Sequence, residues 1–186
     1  SIAKNKKNIL KNTAVIIVVN QSKNAIKTIK IDNKKTLDFL SKQKYPFVLG
    51  VVDACTSNLE LPNKYSGVGL ARKIGMDLVL PMLLDEKSLI FCTDADTILN
   101  KNYLEYVIEY FKIKNVNAAV VGFRHLRTNS KEHNNLIDQY EKYLISTAQN
   151  IKKSGSPYGY VAMGSTMICT AKSYISIGGM PRKKAT

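Results

Sequence analysis

Leu89-Ile90-Phe91-Cys92-Thr93-Asp94-Ala95-Asp96-Thr97 is a short apolar run that stops at two carboxylates one residue apart. A run of this length, closed by a polar turn, predicts a strand buried on both faces of a parallel sheet. The carboxylates then lie at its carboxyl end, the edge where open α/β sheets bind ligands because the outgoing loops diverge into a crevice. Aspartates at i and i+2 of an extended segment point the same way. Asp94 and Asp96 can therefore share one hard cation, or divide a cation and a sugar hydroxyl between them; with no cation they would repel each other. The bland alternative is that they make a turn and cap the helix that follows. On the residues alone the two readings stand level.

Working outward, the chain alternates strands and helices. Residues 13–19 (TAVIIVV) are β-branched and uniformly apolar, a central parallel strand that ends at Asn20-Gln21-Ser22. Residues 33–43 carry Leu37 and Leu40 at helical spacing and form the crossover. Residues 46–52 (PFVLGVV) are a second buried strand, closing at Asp53. That puts a third carboxylate on the ligand-binding edge, although an Asx turn opening the next loop is the stronger reading of Asp53 taken alone. From Ser66 the sequence SGVGLARKIGMDL places Ala71, Ile74, Gly75, Leu78 and Met82 at three- and four-residue intervals, an amphipathic helix opened by two glycines. Amides at such a start, with Arg72 and Lys73 one turn in, suit a phosphate; equally, Arg72 suits a solvated helix face.

Past the aspartate pair, Leu104, Val107, Ile108 and Phe111 mark another helix, and residues 117–123 (NAAVVGF) another strand. A long helix over residues 132–151 carries an aromatic stripe, a pattern that serves packing more often than binding. Residues 154–160 are a flexible loop, residues 165–170 (STMICT) a further strand, and residues 177–186 a turn and basic tail. Sustained βαβ alternation argues for an α/β fold with a mostly parallel, Rossmann-like sheet flanked by helices. A single domain accounts for all 186 residues, behind a flexible basic leader at residues 1–12.

A formal charge of +14 calls for an anionic partner: nucleic acid, a phosphorylated substrate or an acidic membrane surface. Many lysines alternate with asparagine, as in Lys4-Asn5-Lys6-Lys7-Asn8, which reads first as a solvated surface. No RNP-type aromatic motif, zinc finger or helix-turn-helix signature supports nucleic-acid recognition, so no nucleic-acid partner is expected. The longest apolar run, residues 14–19, is far too short to span a bilayer, and the Lys-rich start precedes no signal-like segment. Cys55, Cys92 and Cys169 are odd in number and set in apolar surroundings, as reduced core thiols of a cytoplasmic protein would be.

The order of these features resembles the glycosyltransferase family 2 domain of the GT-A fold. The matching items are the strand ending in Asn20, the strand ending in Asp53, Gly69-Leu70-Ala71-Arg72-Lys73-Ile74-Gly75 on the next helix, Asp94-Ala95-Asp96 as the DXD motif, and Gly178-Gly179-Met180 near the end. The resemblance implies transfer of a sugar from a nucleotide-diphosphate donor to a carbohydrate or other hydroxyl acceptor. Asn20 and Asp53 would then bind the nucleotide, Asp53 at the base, with Arg72 near the diphosphate. Asp94 would contact ribose or sugar and share with Asp96 a Mn²⁺ or Mg²⁺ bridging the phosphates. Gly178, Gly179 and Met180 would lie on the acceptor side. Inverting members place an acidic base shortly after the Gly-Gly turn; residues 181–186 hold no carboxylate, so the expectation is a fragment of a longer protein whose base lies past Thr186. Peripheral association with the inner face of a membrane is the accompanying expectation. Two other readings remain: a nucleotidylyltransferase of related fold, although Asn20-Gln21-Ser22-Lys23 is not a Gly-rich triphosphate loop, and a non-catalytic basic module for anionic polymers or membrane surface. His125 and His133 read as surface residues.

Overall fold

A computed structural model describes residues 1–184. The fold is α/β, and the chain divides into two compact units. The first comprises Ser1–Ile90, Asp96–Asn117 and the chain from Cys169 onward; the second comprises Phe91–Ala95 and Ala118–Ile168.

In the first unit, β1 (Ala14–Asn20) and β2 (Val48–Ala54) pair in parallel, from Ala14 opposite Val48 to Asn20 opposite Ala54. Parallel neighbours need a crossover, supplied by α2 (Lys27–Lys42). Its buried Leu40 packs with Val19 and Cys55, and Leu37 joins from the same helix face. This helix starts six residues before the predicted stretch, because the first turns, Lys27 to Asp32, carry little apolar signal on a buried side. Helix α3 (Val68–Val79) lies against β1. Gly75 faces Val18 and Ile16 across that contact, where a Cβ would stand at ordinary van der Waals distance, 3.5 Å from Val18 Cγ2. Pro81 falls in the single 3₁₀ turn Leu80–Met82 that ends the helix.

Neither strand is buried on both faces as expected. Val48 and Val51 of β2 remain 55% and 40% exposed, and among the described strands β1 pairs only with β2. The β-branched run reports strand propensity and packing against α2 and α3; it does not report how many strands flank it.

The basic leader is folded rather than flexible. A 3₁₀ turn (Ile2–Lys4) and the short α1 (Lys7–Leu10) bury Leu10 to 1% exposure. Asn5, 5% exposed, accepts the Leu104 N–H at 3.0 Å through Oδ1 and donates through Nδ2 to the Ile2 carbonyl at 2.9 Å. Leu104 opens α4 (Tyr103–Lys114), whose own N-cap residue, Asn102, makes no side-chain cap. The leader thus supplies a missing cap from 99 residues away, and Lys6 pairs with Glu105 beside it.

The second sheet has the order β3 (Leu89–Phe91), β5 (Met167–Thr170), β4 (Ala118–Val120). Its central strand runs antiparallel to both neighbours. Cys92 N–H bonds to the Met167 carbonyl at 2.9 Å and Ala171 N–H to the Ser88 carbonyl at 2.8 Å; Val121 N–H reaches Thr166 and Thr170 N–H reaches Asn117, both at 2.9 Å. The expected all-parallel surroundings of β3 are therefore corrected. An apolar run records burial, and burial is the same whichever way the neighbour runs.

In the second unit, α5 (Lys131–Lys153) is capped by Ser130, whose hydroxyl accepts the His133 N–H. In the first, α6 (Ala171–Ser176) follows β5 without a loop and ends at Gly178 and Gly179, φ 75° and 77°, whose N–H groups bond to Ile175 and Tyr174 carbonyls at 2.9 Å. Positive φ in succession is what glycine supplies at a helix end. Of the predicted basic tail, residues 185–186 lie outside the described residues. Among the described residues no helix is long and apolar enough to cross a membrane.

Candidate functional site

The parallel register sets Val19 opposite Asp53 and Asn20 opposite Ala54, so Asn20 and Asp53 both lie at the carboxyl edge of β1 and β2, offset by one residue and therefore on opposite faces of the sheet. Behind them sits a buried amide network that sequence reading missed. Gln21, 6% exposed, accepts the Leu61 N–H at 3.0 Å through its main-chain carbonyl and donates its own N–H to the Ala54 carbonyl at 3.2 Å. Its side chain donates to the Cys55 carbonyl at 2.6 Å and accepts from Asn33 Nδ2 at 3.1 Å. Asn33 also donates to the Asn20 carbonyl at 3.2 Å. Every polar group of Gln21 is satisfied, which fixes the β1 exit against both α2 and the loop after β2. The available signal was an Asn-Gln pair closing an otherwise apolar strand, with an asparagine inside the next helix.

Asp53 lies in β2 rather than after it, and its role at that edge is structural first. Oδ1 accepts the Cys55 N–H at 3.0 Å and the Thr56 N–H at 2.9 Å, an Asx turn of the kind the residue alone suggests. Burial pushes the carboxyl pKa up, but hydrogen bonds from Thr56 and Cys55 outweigh it and hold Asp53 at about 2. Cys55 responds in the opposite sense: burial, then the adjacent carboxylate, push its thiol up to about 11, which makes it an inert core thiol.

The start of α3 was expected to offer its amides to a phosphate. In the structure the Gly69 N–H donates to the main-chain carbonyl of Lys184 at 3.3 Å. Gly67 is what lets that segment in, because a Cβ at Gly67 would stand 2.1 Å from the same carbonyl oxygen. One turn on, Arg72 is half-buried, with its Nε inside the protein. Lys73 is engaged elsewhere: its Nζ lies 2.8 Å from Asp77 Oδ2, and the hydroxyl of buried Tyr174 donates to Asp77 Oδ1 at 2.7 Å. Burial raises the Asp77 pKa, and the bonds from Lys73 and Tyr174 more than offset it, leaving the carboxyl below its ordinary value. Gly179 packs on the Tyr174 ring, where a Cβ would meet it at 3.2 Å. The Gly178-Gly179 turn, expected on the acceptor side, therefore terminates α6 and seats the tyrosine that ties α6 to α3. Met180 follows, half-buried.

The Asp94-Ala95-Asp96 segment leaves β3 as an irregular stretch followed by a turn. Asp94 is half-buried and belongs to the second unit; Asp96 is exposed and belongs to the first, with Asn20, Asp53 and Arg72. The helix-capping alternative does not apply: α4 begins only at Tyr103, with Asn102 at its N-cap position and Asn5 bonding its amide. A turn remains as the local structural role. Among the described residues no three His, Cys, Asp or Glu side chains come together as a metal-binding group. A hard cation shared between one or two carboxylates, donor phosphates and water does not require such a cluster, and the oxygen-only donor set of Asp94 and Asp96 suits Mg²⁺ or Mn²⁺.

His133 is exposed on the first turn of α5. His125 faces Glu141, with both its main-chain N–H and Nδ1 2.9 Å from Oε1. Cys55, Cys92 and Cys169 form no disulfide, and the first two are buried. No protein-family model, curated protein or solved structure matches this chain.

Proposed function

We propose that this chain binds a nucleotide-diphosphate sugar and is the donor-binding part of a glycosyltransferase resembling family 2, of GT-A type, that passes the sugar to a hydroxyl acceptor. The observation that carries the reading is the Asp94-Ala95-Asp96 stretch past the carboxyl end of β3, with six residues separating it from the next helix. The β1–β2 edge adds Asn20 and Asp53 at the ends of adjacent strands, one residue out of register, with Asp53 opposite Val19 and Asn20 opposite Ala54.

In this reading Asp96, exposed on its turn, holds the cation, and Asp94 beside it meets the cation or a donor hydroxyl. A bound Mn²⁺ or Mg²⁺ supplies Lewis-acid neutralisation of the departing diphosphate. Asp53, ionised down to low pH and rigid in its Asx turn, presents a fixed acceptor to a base N–H. Phosphate contact is assigned to Arg72, one turn into α3; at the helix start the Gly69 N–H already donates to the Lys184 carbonyl. A cytoplasmic setting goes with this proposal.

The test is calorimetric titration of the 186-residue chain with nucleotide diphosphates and nucleotide sugars, with and without Mn²⁺, beside salt-titrated binding to heparin and to anionic vesicles. Metal-dependent, saturable nucleotide binding supports the proposal. Purely salt-dependent binding to heparin or vesicles, with no nucleotide effect, replaces it with the basic-module reading.

A further inference from the structure

The second unit contains a cavity of about 300 Å³ that the donor reading does not use. Val120 and Phe123 wall it from β4 and the strand's continuation, Leu144 and Ile145 from α5, and Val161 from the loop beyond; the one charged group in the wall is Glu141. That size lies at the lower end of the range for small-molecule sites, and the composition, apolar with a single placed polar group, is typical of them.

Glu141 is fixed in place. Oε1 accepts two bonds from His125, one from the main-chain N–H and one at Nδ1, both at 2.9 Å, and the Arg127 guanidinium stands 4.0 Å from Oε2. Arg127, in the segment before α5, is itself anchored by Asp138 of α5, 2.5 Å away. The His125 ring is held edge-on between Phe123 and Tyr140, with centroids 5.5 Å from each. An ionised carboxylate accepts only, so Nδ1 of His125 carries its proton toward Glu141. What the cavity offers an occupant is therefore an apolar body site and a hydrogen-bond acceptor. With His125 and Arg127 already at the carboxylate and a formal chain charge of +14, the complement is a neutral donor rather than a cation.

We propose that this cavity is a binding site for a small apolar molecule carrying a hydroxyl, its hydrocarbon body among Val120, Phe123, Leu144, Ile145 and Val161 and its O–H directed to Glu141. The assignment stands on the second unit alone and does not depend on the donor reading.

The probe is 4-propylphenol, with 4-propylanisole, its methyl ether, as the partner that lacks the donor. Binding is followed by methyl chemical shifts of Val, Leu and Ile residues in the full chain. The expected result is saturable shifts confined to the cavity methyls, at least about tenfold weaker binding of the ether, as one lost hydrogen bond to a charged group requires, and loss of binding in Ile145→Trp, which fills the cavity. Glu141→Gln should shrink the phenol-over-ether preference. Ile145→Met, which keeps volume and polarity, checks that the fold survives substitution there. Equal binding of phenol and ether, shifts scattered over the surface, or undiminished binding in a folded Ile145→Trp would overturn the proposal.

Discussion

Two aspartates stand at strand ends of this molecule and are used in opposite ways. Asp53, at the end of β2, spends Oδ1 on the amides of Cys55 and Thr56 and holds the next loop. Asp96, past the end of β3, sits exposed on a turn with no helix to cap. Residue type is the same, but Asp53 lies within its strand and Asp96 past the end of its own; what differs as well is whether the following chain turns back within three residues to donate its amides. A strand-end carboxylate therefore becomes a candidate for ligand binding only after the local backbone has taken its share.

The sharpest way to break that contrast is to remove each carboxylate. Asp96→Ala should weaken Mn²⁺-dependent nucleotide-diphosphate binding by at least roughly 10–100-fold, the size of effect seen even for groups that only support a metal ligand, while stability moves by no more than about 0.5 kcal/mol, as at an ordinary surface site. Calorimetry and thermal melts report the two quantities separately. Asp53→Ala should do the reverse in stability, costing about 1–3 kcal/mol because two loop amides lose their acceptor, measured by urea denaturation.

A next-smaller effect separates the leader from the ordinary surface. Asn5→Ala removes the buried cap on α4 and should cost about 1–2 kcal/mol, whereas Asn8→Ala, on the exposed side of α1, should be nearly silent. Equal costs would show that the leader does not dock through Asn5.

The pH dependence follows from the same aspartate. Because Asp53 ionises at about 2 in the folded protein and near the ordinary carboxylate value when unfolded, its contribution is complete above about pH 4 and is lost as pH falls toward 2. Acid titration of stability should show a smaller loss between pH 4 and 2 in Asp53→Asn than in the parent.

Gly67→Ala gives the subtlest outcome. A Cβ there meets the Lys184 carbonyl, so the segment must shift and release the Gly69 amide. Hydrogen exchange at Gly69 should accelerate; unchanged protection would mean the contact is not what holds that amide.

Much of the element order was legible because apolar periodicity is a local signal: β1, α3, β3 and α4 fall where Val, Ile and Leu spacing puts them. What escaped was set by distant partners. The direction of β5 against β3 comes from chain that returns some 70 residues later, and neither strand's sequence encodes it. Asn5 looked like part of a solvated Lys/Asn run, yet it is buried because Leu104 needs an acceptor. Lys184 on the start of α3 was equally hidden, since the glycine that admits it reads as a phosphate loop just as well. At the site, the adjacency of Asn20 and Asp53 was readable from two strands of equal length in a βαβ unit, while the prior commitment of Asp53 to its own loop was readable only as the blander of two options.

The most direct test is a paired titration of Mn²⁺ and a nucleoside diphosphate into the parent and Asp96→Ala proteins at fixed ionic strength. The account predicts metal-dependent binding in the parent and its loss in Asp96→Ala with the melting temperature unchanged. Binding that is identical in the two proteins, or that is indifferent to Mn²⁺ in both, would contradict it.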